Sequence, residues 1–155
     1  YTGRVLVIGP QETTLTGVEE LGGASSTLGK AVRSGVKNVT EYMYPVRTFD
    51  PASAIAQARQ ADIIIVGTYR ATQYRSQVDM VNQLLKLGKP VIVVALREPY
   101  DIMEFPQVKT YITTYGTTTV AMTALGDILF GRVKPTGKLP VSIPGVAQAG
   151  TGVTW

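Results

Sequence analysis

Ala61-Asp62-Ile63-Ile64-Ile65-Val66-Gly67-Thr68-Tyr69-Arg70 is the stretch on which the fold turns. Ile63 to Val66 is an unbroken run of β-branched residues with no polar alternation, which is what a strand covered on both faces requires. The same signature recurs on either side. Val5-Leu6-Val7-Ile8 runs up to Gly9-Pro10, and Val91 to Leu96 follows Gly88-Lys89-Pro90. Val39 to Tyr44, ended by Pro45, reads as another strand, and Tyr111-Ile112-Thr113 as a weaker one.

Helical spacing fills the gaps. Residues 11–24 read as a loop, after which Ser25 or Ser26 caps a helix that presents Leu28, Ala31 and Val32 and stops at Gly35. Asp50-Pro51 starts a short helix with Ala54, Ile55 and Ala58 inward. Tyr74, Val78, Val81 and Leu85 recur at helical intervals before Gly88. Thr117 to Phe130 closes the pattern, with an expected apolar stripe of Val120, Ala121, Ala124, Leu125, Ile128 and Leu129. Such alternation predicts an α/β fold: a three-layer α/β/α sandwich, flavodoxin-like, with a mostly parallel sheet of five or six strands. Leu139 to Ile143 is a candidate edge strand, where proline is tolerated. The expected division is a domain over 1–145 and a loose tail over 146–155, unless Trp155 docks.

The chain has 155 residues, a length that suits one domain, and it contains no cysteine and no histidine. Disulfides, Ser-His-Asp or Cys-His triads and the common zinc, haem and iron–sulfur ligand sets cannot be built from it. Eleven carboxylates, eight tyrosines and the lysines remain for acid–base work. The net charge of +4 is spread without a basic run, so no nucleic-acid partner is expected. No apolar stretch approaches the length of a membrane span. The start at Tyr1 reads as that of a mature or excised segment. There is no G-x-G-x-x-G fingerprint and no Walker A pattern, so no cofactor is expected, and no metal.

In open α/β sheets, ligands sit beyond the carboxyl ends of the strands. Three segments are placed there. Gly9-Pro10-Gln11-Glu12 reads as an ordinary turn. Thr68-Tyr69-Arg70 leaves the most buried strand, where Arg70 can meet an anion or a polar sugar; Arg75 beyond it is expected to pair with Asp79. In Arg97-Glu98-Pro99-Tyr100-Asp101, Glu98 is the alternative candidate for a general acid or base, against a plain loop ion pair. Asp101 reads as the cap of a short helix over residues 102–104. Asp50 and Asp62 read as a helix cap and a strand-start residue.

Ala61-Asp62-Ile63-Ile64-Ile65-Val66-Gly67, Gly88-Lys89-Pro90-Val91-Ile92-Val93-Val94, Gly126-Asp127-Ile128-Leu129-Phe130-Gly131 and Pro135-Thr136-Gly137-Lys138-Leu139-Pro140-Val141-Ser142 form a combination. It resembles the C-terminal α/β sandwich domain of glycoside hydrolase family 3, from Arg4 to about Pro144. The resemblance implies a missing N-terminal barrel on the same polypeptide, which carries an aspartate nucleophile, with a glycan substrate at the domain interface. A retaining glycosidase sets two carboxyl groups roughly 5–5.5 Å apart, so this segment lacks at least half of that machinery.

One departure bears on the branch. The β-glucosidase branch follows the strand matching Ile63 to Val66 with an acidic loop, whereas here Gly67-Thr68-Tyr69-Arg70-Ala71 has no carboxylate before Asp79. That is similar to the β-N-acetylglucosaminidase branch, in which a histidine–aspartate pair on the barrel does the acid–base work. The resemblance therefore implies a non-catalytic domain of an exo-β-N-acetylglucosaminidase acting on amino-sugar glycans such as cell-wall fragments. Arg70, Tyr69 and Thr68 would contact the barrel or its substrate, in a secreted or bacterial cell-surface enzyme. The alternatives are a β-glucosidase or β-xylosidase half that uses Glu98, and a stand-alone flavodoxin-like binding module.

Overall fold

Strand β1 (Val5–Pro10) is buried along its whole length and pairs in parallel with two neighbours, β2 (Val39–Tyr44) and β3 (Ile63–Thr68). The computed structural model describes residues 1–11 and 26–153. Beyond β3 lie β4 (Val91–Ala95) and β5 (Thr110–Thr113), giving a five-stranded parallel sheet in the order β2-β1-β3-β4-β5. The winding direction reverses between β1 and β3, the place where such sheets open a crevice at their carboxyl edge.

Register explains the two-sided core. Tyr42, Ile8, Val66, Val93 and Tyr111 lie side by side across the sheet and face one layer. Val7 and Ile65, each one residue earlier, face the other. The first layer is covered by α2 (Ala52–Ala58) and α3 (Arg75–Leu85), with Ala54, Ile55, Ala58, Val78, Val81 and Leu84 packed inward. The second is covered by α1 (Thr27–Arg33) and α4 (Thr119–Leu129). Alternate strand residues thus feed opposite layers, so the apolar runs never needed polar positions. This is the three-layer α/β/α sandwich expected.

Local chemistry fixes the helix ends. Ser26 caps α1, its hydroxyl accepting from the Gly29 amide at 2.8 Å and donating to Glu41 Oε2 at 2.7 Å. Ser25 lies outside the described residues. Asp50 Oδ1 accepts from the Ala52 amide at 2.9 Å, although Pro51 rather than Asp50 occupies the cap. Asp62 accepts from the Arg4 amide at 2.8 Å, and this bond is the main reason its carboxyl titrates below the usual value.

Two expectations are corrected here. The stripe of α4 is narrower than its apolar composition: Met122, Leu125 and Gly126 are buried, while Val120 is 80% exposed and Ala124 points outward. The reason is a close approach to α1, where a Cβ on Gly126 would stand 3.0 Å from the Ala31 carbonyl oxygen, which fixes the helix rotation. The segment from Leu139 to Ile143 does not join the sheet. Leu139 pairs instead with Gly150 and Thr151, and Ile143 bridges Ala147, so this stretch spends its backbone groups on the chain that follows it. Trp155 lies outside the described residues. Among the described residues, no helix is long and apolar enough to cross a membrane.

Candidate functional site

The loop leaving β3 is held from below by a buried polar network. The Tyr44 hydroxyl lies 2.7 Å from the Gly67 carbonyl and 3.0 Å from Gln77 Oε1, one proton serving two acceptors. Gln77, fully buried on α3, accepts from the Tyr69 amide at 2.9 Å. Its Nε2 donates to the carbonyls of Tyr69 at 2.9 Å and Val46 at 3.2 Å. An amide side chain with two donors and one acceptor can thus clasp one residue of backbone on both sides. Burial strongly raises the Tyr44 phenol, with the nearby Asp101 charge adding to the shift.

From the side, the loop is held by a 3-10 helix, Pro99–Glu104, in the connection between β4 and β5. Asp101 is not the cap expected from the sequence. Glu98 occupies that place, because Pro99 starts the helix and leaves Asp101 in its first turn with the side chain turned inward. There Asp101, 1% exposed, accepts from Thr68 Oγ1 at 2.7 Å and from the Ala71 amide at 2.8 Å. Burial raises its carboxyl above the usual aspartate value; the bonds from Thr68 and Ala71 pull the other way, and Glu98 pushes it up further.

Between those two anchors the backbone turns sharply. Arg70 adopts φ +53°, the left-handed region that costs a non-glycine residue about 1 kcal/mol or more. Its Nε donates to Glu98 Oε1 at 2.9 Å. Tyr69 is half-buried, and Arg97 donates to its hydroxyl at 3.0 Å. The Arg97 guanidinium is 5.7 Å from the Tyr69 ring centroid, near the outer limit for a cation–π contact, so the hydrogen bond is the stronger link. Tyr115, at the end of β5, is the other described non-glycine residue with positive φ, at +56°. Both strained residues lie at the carboxyl edge of the sheet.

Of the residues singled out in the sequence, Thr68, Tyr69, Arg70 and Glu98 are brought together. Thr68 is fully buried with its hydroxyl given to Asp101, so it supports the loop rather than facing outward. Arg75 does not pair with Asp79. It reaches across to Glu104, because the first residue of α3 faces the 3-10 helix. Gln11 closes β1 by donating its amide to the Tyr44 carbonyl at 2.8 Å, and Glu12 lies outside the described residues. Gln77 and Tyr44 were missed. The only signal was a polar residue beside the Tyr74–Val78–Val81 face of a helix.

The arrangement presents a guanidinium and a phenol on a rigid loop, suited to hydroxyl-rich or anionic groups. It is poorly suited to proton transfer. Glu98 is engaged by Arg70, and Asp101 is enclosed. Among the described residues, no group of three acidic side chains gathers as a metal site. An open trough of about 850 Å³, lined by Asp50, Asp79, Asn82, Gln83, Lys86 and Gln107 among others, follows α2 and α3 and includes none of these loop residues.

Comparison with known proteins gives a consistent picture. Residues 2–152 match the Glycosyl hydrolase family 3 C-terminal domain. A solved glycoside hydrolase family 3 β-N-acetylglucosaminidase from Paenibacillus sp. superimposes with a TM-score of 0.81 at 29% identity, over 95% of this chain and 28% of that one. A fungal multi-domain β-N-acetylglucosaminidase of the same family, which also has a GCN5-related glucosamine N-acetyltransferase region, gives 0.79 at 31% identity, over 99% of this chain and 17% of that one. Among curated sequences, the periplasmic β-glucosidase of Salmonella typhimurium is 30% identical over 59% of this chain and 14% of its own length. The chain therefore spans less than a third of each of these relatives.

Proposed function

The chain belongs to the glycosyl hydrolase family 3 C-terminal domain family, and from that premise we propose that it is the non-catalytic domain of an exo-β-N-acetylglucosaminidase. In this reading an N-terminal barrel on the same polypeptide holds the nucleophile and the acid–base pair and cleaves terminal amino-sugar residues. The present domain covers that site from its sheet's carboxyl edge, excluding water and offering Arg70 and Tyr69 to the barrel or the glycan. The observation that carries the reading is the pairing of Glu98 with Arg70, which engages the candidate acid–base carboxylate of the loop with a guanidinium.

The test is made in the full-length polypeptide with 4-nitrophenyl N-acetyl-β-glucosaminide as substrate. Arg70→Ala lowers kcat/KM about ten-fold with the fold intact. Unchanged kinetics removes Arg70 from the interface. A second reading is favoured by the β-glucosidase names among the curated relatives: a β-glucosidase or β-xylosidase half in which Glu98 is the acid–base. Glu98→Gln separates the two. A loss on the order of a thousand-fold, recovered with azide, supports the second reading, and a change within about ten-fold supports the first.

A further inference from the structure

We propose that Asp101 is a positioning residue for Arg70: by bonding the Thr68 hydroxyl and the Ala71 amide, on the residues that bracket Tyr69-Arg70, it holds Arg70 in its left-handed turn. The proposal rests on the reading of Arg70 as an interface contact and deepens it, because it assigns the arginine's pose to a group that touches neither barrel nor glycan.

The geometry favours this role over a purely packing one. A left-handed arginine persists only where its neighbours over-determine it. Here two residues of one short segment act on the same loop at different points. Asp101 holds the Thr68 hydroxyl before the turn and the Ala71 amide after it, and Glu98, three residues earlier, holds the Arg70 Nε at 2.9 Å. Asp101 is 1% exposed, so it has no route to a ligand. One carboxylate oxygen takes the Thr68 hydroxyl and the other the Ala71 amide. Gln77 holds Tyr69 from the opposite side and the Gln73 amide donates to the Arg70 carbonyl at 2.9 Å, which leaves the Ala71 amide to Asp101 and the Arg70 side chain to Glu98.

The substitutions Asp101→Ala and Asp101→Asn tell positioning from charge. Alanine removes both bonds. Asparagine keeps them, its Oδ1 accepting from Ala71 and its Nδ2 donating to the Thr68 hydroxyl. In the full-length enzyme, assayed with 4-nitrophenyl N-acetyl-β-glucosaminide, Asp101→Ala raises KM about ten-fold and changes kcat by less than about two-fold, and Asp101→Asn restores most of the loss. In an Arg70→Ala background, Asp101→Ala adds nothing further. An additive effect, or an asparagine variant as impaired as the alanine one, overturns the proposal.

Amide hydrogen exchange at Ala71 reads the clamp without any activity. Asp101→Ala accelerates it at least about ten-fold and Asp101→Asn does not; an unchanged rate in the alanine variant overturns the clamp. If Asp101→Ala does not fold, Thr68→Val breaks one of the two bonds and produces the same KM-selective loss at smaller size, and its absence counts against the proposal. Unchanged kinetics in Arg70→Ala alone defeats the interface reading, whereas the exchange rate at Ala71 reports on Asp101 independently.

Discussion

Lys89 Nζ donates to the Arg59 carbonyl at 2.8 Å, closing the carboxyl end of α2 from thirty residues away. It also reaches the Ala61 carbonyl, which lies between that helix and β3. The lysine of the Gly88-Lys89-Pro90 stretch is thus a helix cap supplied from the start of the next strand, complementing the negative end of the helix dipole. Lys89→Met keeps the stem and loses the ammonium. It lowers the unfolding free energy by about 1 kcal/mol in urea titration, with activity unchanged. No measurable loss assigns those carbonyls to water.

Tyr44→Phe leaves the Gly67 carbonyl without its buried donor and destabilises the chain by about 1–3 kcal/mol. The alkaline behaviour follows from the raised phenol. Above the ordinary tyrosine pKa the unfolded chain releases this proton while the folded chain retains it. Stability is therefore complete below about pH 10 and falls as pH rises beyond it. Tyr111, also raised by burial, acts in the same direction. Urea midpoints measured from pH 8 to 11 fall steeply for the native sequence and less steeply for Tyr44→Phe. Parallel curves rule out this origin.

Asp101 is an inverted case. Its carboxyl is raised, so in the window above the ordinary aspartate value the folded state keeps a proton that the unfolded state has lost. Its contribution to stability therefore falls as pH rises through that window and returns on acidification. The ionisable groups facing it are Glu98, whose charge raises it further, and the phenols of Tyr44 and Tyr111. Relative to Asp101→Asn, the native chain gains stability as the solution is acidified. A constant difference between pH 7 and pH 4 contradicts this.

Tyr115 tests the second strained position. At φ +56° an asparagine is tolerated and a β-branched residue is not. Tyr115→Val lowers stability by about 1–2 kcal/mol and Tyr115→Asn by much less, read as thermal midpoints. Equal losses from both substitutions place the cost in the ring and not in the backbone.

The layers of this fold were legible because the three central strands are uninterrupted apolar runs and the helices between them show helical spacing with cap or breaker residues at their ends. Val5 to Ile8, Ile63 to Val66 and Val91 to Leu96 needed no tertiary information to be read as doubly covered strands. Leu139 to Ile143 misled for the converse reason: its composition suits an edge, but the competing partners, Gly150 and Thr151, lie a few residues further on, and local pairing won. Arg70 was placed by topology alone, since carboxyl-end loops face the crevice. Its anchors were not legible. Asp101 looked like a cap because Asp before an apolar pair does so generally, and only the proline at 99 and the depth of the loop turn it inward. Nothing local connects Gln77 with Tyr44, which are 33 positions apart.

The order of the sheet has one more consequence. Thr68 to Ala71 follow β3, and Glu98 and Asp101 follow β4, its immediate neighbour. Every bond described as setting the pose of Arg70 is therefore made between adjacent strands of a single domain. The pose is portable: a chimaera that carries both loops into another polypeptide keeps Arg70 in the same turn and on the same partners.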